Sequence, residues 1–226
     1  EEGQRKRDFL RAAMICCDAV VDYAHRYAEE AERLAKGEEA LDRRNELLEI
    51  KEICRRVPAY PPESFREAIQ SIWFLQLVMH TICGARDYAL GRMDQYLYPI
   101  YKRDIEKGIL TREKAKELLE HLLIHENEII GLGDQWVSGK KALWTDSVIY
   151  LFIGGQIRDG EDAVNELSFL LLESMDELRL KAPSLMVRYH RKINRKFWLK
   201  VMDAIRKGLT IGLYNDGVVV PALVRC

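Results

Sequence analysis

The clearest candidates for chemistry in this 226-residue sequence are a histidine pair and a cysteine pair. His121 and His125 are four residues apart on a predicted helix, a spacing that can hold a metal ion. Glu126 does not stand where the helix of a zinc protease needs its glutamate, and no pattern supplies two further ligands. An ordinary amphipathic helix explains the pair, so we predict no metal site.

The five cysteines predict reduced thiols and not a disulfide framework. None belongs to a CxxC pair, and four lie within helical patterns or at their ends. Such thiols are typical of cytosolic proteins. Cys16 and Cys17 are adjacent and therefore point in different directions on a helix, which favours buried structural thiols over a reactive pair.

Charged residues and glycines follow predicted buried elements at several points. Arg86 and Asp87 come directly after an apolar helix, where a charged pair must face solvent, its own partner or a pocket. Gly154-Gly155 ends a predicted strand without a dinucleotide-binding or phosphate-loop pattern, so a tight turn explains it. Asn215-Asp216 ends another strand, as an Asx turn before a helix does. These residues alone identify no reaction.

The elements that must position these residues fall into two groups. Apolar residues recur at helical spacing over residues 4–35, 39–56, 62–83, 92–107 and 111–128. The third of these helices is apolar on nearly every face, which predicts burial on every face. Between it and the fourth helix, residues 90–99 form a junction with a glycine turn and the charged residues Arg92 and Asp94.

After residue 146 the pattern changes to continuous apolar runs at residues 147–153, 184–190 and 209–214, each followed by a helical pattern. This strand–helix alternation predicts an α/β fold with a parallel sheet. Three parallel strands cannot close a barrel and form only a weak core, so we expect more strands downstream.

Composition limits the class of protein. The chain is 48% hydrophobic with a formal net charge of −1, which predicts a globular core and gives no basic stripe for nucleic acid. It contains no apolar run of about 18 residues and no signal-peptide pattern, so we expect no membrane contact and a cytoplasmic location. Both ends read as cut, which predicts a piece of a longer protein.

Six segments in a fixed order carry a family resemblance. They are ICRRVPAYPP at 53–62, FREAIQSIWF at 65–74, LGRMDQYLYP at 90–99, GG at 154–155 with DAVNELS at 162–168, YND at 214–216 and PAL at 221–223. Together they make the chain resemble the glycyl radical enzymes, in their pyruvate formate-lyase-like and diol dehydratase-like branch. The resemblance covers nearly the whole chain.

The resemblance implies a ten-stranded α/β barrel made of two half-barrels and wrapped by helices. Residues 1–226 would form part of this domain. Within it, residues 1–130 would be a mainly helical layer and residues 147–226 the first strand–helix repeats of a half-barrel. The expected fold class is therefore α/β, with a partial barrel in this chain.

The resemblance also implies a radical reaction under anaerobic conditions. In such enzymes a glycyl radical passes to a cysteine, whose thiyl takes a hydrogen atom from a small substrate. An activating enzyme that uses S-adenosylmethionine and an iron–sulfur cluster installs the radical. The expected partners of a complete protein are thus a small molecule and that activating enzyme, with a homodimer left open. This chain itself is expected to bind no cofactor.

Both radical-bearing segments of the family are missing from the sequence. The cysteine loop should follow the PAL helix after a short interval, and the glycine loop should come near the end of the protein. Cys226 falls where the family has a polar or charged residue of that helix, so we assign no catalytic residue. We expect an inactive part of a radical lyase, dehydratase or formate acetyltransferase-like enzyme.

Arg86 and Asp87 are the only substrate-binding candidates. They stand where diol dehydratase-like members carry a His-Ser pair that contacts substrate. The residue types differ, so those roles do not transfer. Charged groups at these places predict a charged or strongly polar substrate, with Arg86 in bidentate contact with a carboxylate.

The alternatives to an enzyme are a truncated non-catalytic remnant, an interaction module and a binding domain that reuses half a barrel. The reading frame after Cys226 discriminates between them. A frame that continues to a cysteine loop and a glycine loop favours the enzyme. An in-frame stop favours the remnant.

Overall fold

The computed structural model describes residues 2–81, 89–129 and 149–224, in two compact units that divide between Val78 and Met79. The helices are α1 (Glu2–Gly37), α2 (Leu41–Arg56), α3 (Phe65–Thr81), α4 (Met93–Tyr96), α5 (Tyr98–Glu106), α6 (Arg112–Glu128), α7 (Glu166–Leu178), α8 (Arg195–Arg206) and α9 (Asp216–Val224). The strands are β1 (Tyr150–Gly154), β2 (Ser184–Tyr189) and β3 (Ile211–Asn215). No helix in this part of the chain is long and apolar enough to cross a membrane.

The first unit is built on the carboxyl-terminal half of α1. Four alanines of α1 are buried at alternating spacings of four and three residues, and α2 packs against this helix: Ala24, Ala28, Ala31 and Ala35. Small side chains at this spacing let two helix backbones approach closely. Phe74 of α3 packs on Ala24, Ala28 and Cys54.

The amino-terminal half of α1 is exposed, contrary to expectation. Phe9 is 72% exposed, and Cys16 and Cys17 are exposed free thiols, so the prediction of buried structural thiols is wrong for these two. The reason is length. Helix α2 has 16 residues and α1 has 36. Because both helices rise about 1.5 Å per residue, α2 covers less than half the length of α1.

Two further expectations for the helices need correction. Leu75 of α3 is 47% exposed, so burial on every face does not hold within the described residues. The single helix expected over residues 92–107 is two helices, α4 and α5, which meet at Leu97. Pro99 explains the break, because a proline has no N–H to donate and its ring clashes with the carbonyl four residues earlier.

Helix α6 begins and ends as predicted. The Thr111 hydroxyl accepts a hydrogen bond from the Lys114 amide at 3.2 Å, and the helix runs to Glu128. His121 and His125 are exposed on it. Among the described residues, no group of three histidine, cysteine or acidic side chains is placed to hold a metal ion.

The three strands form one parallel sheet in the order β1-β2-β3, which confirms the predicted α/β class. Leu151, Ile153, Leu185 and Val187 are fully buried, as are most of the leucines of α7. The opposite row of β1 and β2, which includes Phe152 and Met186, is only half-buried. Because neighbouring side chains of a strand face opposite sides, one side of the sheet carries the core and the other is partly open.

Glu126 is an acid buried in the apolar face of α6. Its side chain is 0% exposed, and neither carboxyl oxygen has a hydrogen-bond partner among the described residues. Burial raises the pKa of Glu126 from 4.5 to about 8. The group is therefore mainly protonated at neutral pH in the folded chain.

Because the pKa of Glu126 is higher in the folded than in the unfolded chain, its contribution to stability is complete below pH 4.5 and is lost as the pH rises towards about 8. We predict that the free energy of unfolding in urea falls by up to roughly 1.4 kcal/mol per pH unit in this window. Glu126→Gln should remove most of this slope. The exposed Glu113→Gln should keep it, and equal slopes in both variants would show that Glu126 ionises normally.

Candidate functional site

Polar side chains concentrate at the carboxyl ends of the three parallel strands. Ligand sites of parallel α/β sheets lie at this edge. The feature around which they gather is the turn after β1, formed by Gly154, Gly155 and Gln156, which we call the β1 turn. Gly154 and Gly155 have φ angles of +73° and +84°, a left-handed conformation that glycine adopts without strain.

Asp94 of α4 holds the β1 turn from one side. Its Oδ2 accepts hydrogen bonds from the Gly154 amide at 2.7 Å and from the Ser168 hydroxyl at 2.6 Å. Burial raises the pKa of Asp94, and these hydrogen bonds oppose that effect. Asn165 caps α7 and also donates to the Asp94 carbonyl at 2.6 Å. The acid thus ties α4, β1 and α7 together.

Arg92 binds two carbonyl groups of the same turn. Its guanidinium donates to the Gly154 oxygen at 2.7 Å and to the Gln156 oxygen at 3.1 Å. Just before it, the Gly91 carbonyl accepts from the Phe152 amide at 2.9 Å, so residues 90–92 run along the free edge of β1. Burial lowers the pKa of Arg92, with nearby Arg188 as a second cause. The junction seen in the sequence is therefore part of the sheet edge.

Arg188 and Asp216 hold the β1 turn from the other side. Arg188 Nε lies 2.7 Å from Asp216 Oδ1 and its Nη2 lies 2.9 Å from Oδ2, a bidentate pair. The same Oδ2 accepts from the Gln156 amide at 3.0 Å. A Cβ at position 155 would lie 2.8 Å from Arg188 Nε and 2.9 Å from Asp216 Oδ2. This close approach requires glycine at 155.

A third acid organises the connection after β2. Asp162 accepts from His190 Nε2 at 3.0 Å and from the Asn194 amide at 2.8 Å. His190 is only 4% exposed. The pair fixes the orientation of the imidazole and the start of α8, which Asn194 caps.

A cavity of about 570 Å³ opens beside these groups. It is lined by Gln156, Tyr189, His190, Arg191, Lys192, Asn215, Gly217 and Val218. The three acids of the network each accept at least two hydrogen bonds. Carboxylates that accept several hydrogen bonds hold the neighbouring backbone and side chains in place.

The candidates from the sequence fare differently. Arg86 and Asp87 lie outside the described residues. Asn215 forms the expected Asx turn, since its Oδ1 accepts from the Gly217 amide at 3.0 Å. Asp216 does more than expected, because it pairs with Arg188. Sequence reasoning missed that pair and the Asp162–His190 contact, whose members are each 28 residues apart and share no motif.

Fold and site together define a parallel α/β protein whose strand ends are joined by a buried polar network, and comparison with known proteins gives the family. The chain belongs to the pyruvate formate lyase-like family, which it matches over residues 1–226.

Two relatives and one solved structure show how similar the chain is to known members of the family. The chain is 36% identical to trans-4-hydroxy-L-proline dehydratase of Clostridioides difficile over 99% of its own length and 29% of the relative. It is also 36% identical to the isethionate sulfite-lyase of Desulfovibrio desulfuricans, with 99% and 27% covered. A solved glycyl radical enzyme from Archaeoglobus fulgidus superimposes with a TM-score of 0.80 at 39% identity, over 92% of this chain and 27% of that one. The chain therefore spans little more than a quarter of these relatives, and its three strands correspond to part of their barrel domain.

Two glycines with positive φ separate the effects of strain and of close approach. Gly155→Ala places a methyl group against the Arg188–Asp216 pair, whereas a Cβ at Gly108, with φ +68°, meets nothing within 4 Å. Strain should cost both variants about 1 kcal/mol. Disruption of the ion pair should cost Gly155→Ala roughly 2 kcal/mol more in chemical unfolding. Equal losses of unfolding free energy in the two variants would mean that the Arg188–Asp216 pair moves aside at no energetic cost.

Proposed function

We propose that this chain supplies the first strands of the barrel of a glycyl radical dehydratase or lyase that acts on a small polar substrate. The observation that carries the proposal is the match of 99% of the chain to relatives with those two activities. The β1 turn supports it from the structure, because a network that fixes the carboxyl ends of three strands suits a barrel that encloses a reactive site.

Membership of the family supports a division of labour in the complete protein. Residues 1–130 serve as a helical layer and residues 147–226 as strand–helix repeats. The cysteine and glycine that carry the radical come from other parts of the protein, so residues 1–226 are inactive by themselves. An activating enzyme that uses S-adenosylmethionine generates the glycyl radical, and the reaction takes place in an anaerobic cytoplasm.

The substrate carries a hydroxyl group and an anionic group. Two relatives are named for trans-4-hydroxy-L-proline and isethionate, which are a hydroxylated carboxylate and a hydroxylated sulfonate. In this chain Arg86 is the matching cation, since a guanidinium binds a carboxylate or sulfonate through two parallel hydrogen bonds. Asp87 next to it accepts a hydrogen bond from the substrate's hydroxyl or ammonium group.

The test is anaerobic turnover by the complete protein with its activating enzyme, on a panel of hydroxylated carboxylates and sulfonates matched with uncharged diols. We predict loss of water or of the anionic group from a hydroxylated anion, and no turnover by residues 1–226 alone. Turnover of uncharged diols only would contradict the substrate class. Activity of residues 1–226 alone would contradict the division of labour.

Replacing Arg86 tests its role in the same assay. Arg86→Ala should raise KM for the anionic substrate by roughly tenfold to a hundredfold, because a charge-assisted hydrogen bond is worth about 1.5–3 kcal/mol. Arg86→Lys keeps the charge but loses the paired N–H donors of the guanidinium, so its KM should lie between those of Arg86→Ala and the wild type. The exposed Arg158→Ala serves as the control. An unchanged KM in Arg86→Ala would remove Arg86 from the site.

A further inference from the structure

The amino-terminal half of α1 carries two adjacent rows of apolar residues. The first row is Leu10, Met14, Cys17 and Val21, and the second row is Phe9, Ala13, Cys16 and Val20. Each row alternates spacings of four and three residues, the pattern of a helix face that packs on another helix. Phe9, Leu10 and Met14 are 72%, 58% and 65% exposed.

Both rows continue into the half of α1 that is already covered. The first row leads into Ala24 and Ala28, which are 1% exposed, on the helix that packs with α2. The second row leads into Tyr23 and Tyr27, whose rings meet Phe74 of α3 edge to face at 6.5 and 5.9 Å. In this half, Cys54 of α2 packs with the first row, and Phe74 of α3 contacts residues of both rows. The same face therefore has two helical neighbours in its carboxyl-terminal half, and no described residue covers it in its amino-terminal half.

The width of the exposed face decides what can cover it. At about 100° per residue the two rows span about 160° of the helix circumference. A pairing of two copies of α1 would bury only a narrow seam, essentially the first row. It would leave Phe9 and Cys16 in water. A groove between two helices is wide enough to cover both rows.

We infer that the amino-terminal half of α1 lies in a groove between two helices from the part of the protein outside residues 1–226. This inference rests on the proposed function, because it requires the longer protein that the relatives represent. Those relatives are more than three times the length of this chain, which leaves ample sequence for two such helices. The result is a helix that joins the α2–α3 pair to a second helical layer.

Thiol labelling in the complete protein tests the inference directly. Cys17 lies in the first row, and Ile15, which is 64% exposed, lies on the opposite side of the helix. Two variants are compared, Cys16→Ser, and Ile15→Cys with Cys16→Ser and Cys17→Ser. In both, trypsin releases the reporter thiol in the peptide of residues 12–26, where mass spectrometry measures its alkylation.

We expect the thiol at 17 to react roughly tenfold or more slowly than the thiol at 15 in the complete protein, because a buried thiol is inert. In residues 1–226 alone the two should react at similar rates. Equal rates in a complete protein that still turns over substrate would overturn the inference and leave the proposed function intact. A reading frame that lacks the cysteine and glycine loops would overturn both.

Self-association is the competing outcome. If the complete protein forms a dimer by light scattering and Met14→Glu, but not Ile15→Glu, makes it monomeric, a second copy covers this face and the inference fails. If Met14→Glu leaves the oligomeric state of the complete protein unchanged but destabilises it, with no effect on residues 1–226 alone and none from Ile15→Glu, the inference is supported. The second result would show the effect of one row without any thiol chemistry.

Discussion

The second unit depends on the attachment of the β1 turn to two acids and an arginine drawn from distant parts of the sequence. Asp94 and Asp216 accept hydrogen bonds from the amides of the turn on two sides, and Arg92 donates hydrogen bonds to its carbonyl groups. A turn with two left-handed residues cannot satisfy these groups within its own strand. Without them, the buried end of β1 would carry unpaired polar groups at a cost of about 1–3 kcal/mol each.

This attachment also explains the order of the elements around the sheet. Asp94 and Asn165 link α4 to the start of α7. Arg188 and Asp216 link the end of β2 to the start of α9. Each link joins an element before a strand to an element after it, so the strand ends are fixed relative to one another. In a barrel enzyme, such rigidity keeps the loops that follow the strands in place.

Much of this fold can be predicted from the sequence. Continuous apolar runs identified the three strands, and helical spacing over residues 111–128 correctly gave the extent of α6. Helix α7 begins only at Glu166, because Gln156 and Asp162 first pair across a short return that has no apolar period, and Asn165 provides the cap. The Arg188–Asp216 pair could not be predicted, since no local pattern specifies which charges meet across 28 residues.

The exposure of α1 was missed for a different reason. The apolar period of Phe9 to Val21 correctly indicates a helix with a face to bury, but the sequence does not show whether the covering elements belong to the same 226 residues. Helix α2 is too short to cover this face, and no other described element covers it. The same holds for the open side of the sheet at Phe152 and Met186.

The most direct measurement of the central claim is electron paramagnetic resonance of the complete protein after anaerobic incubation with its activating enzyme and S-adenosylmethionine. If the chain is part of a glycyl radical enzyme, the spectrum should show the doublet of a glycine-centred radical, and this signal should be lost when oxygen is admitted. A folded complete protein that gives no radical signal, with an activating enzyme that activates a known relative in the same conditions, would contradict the account.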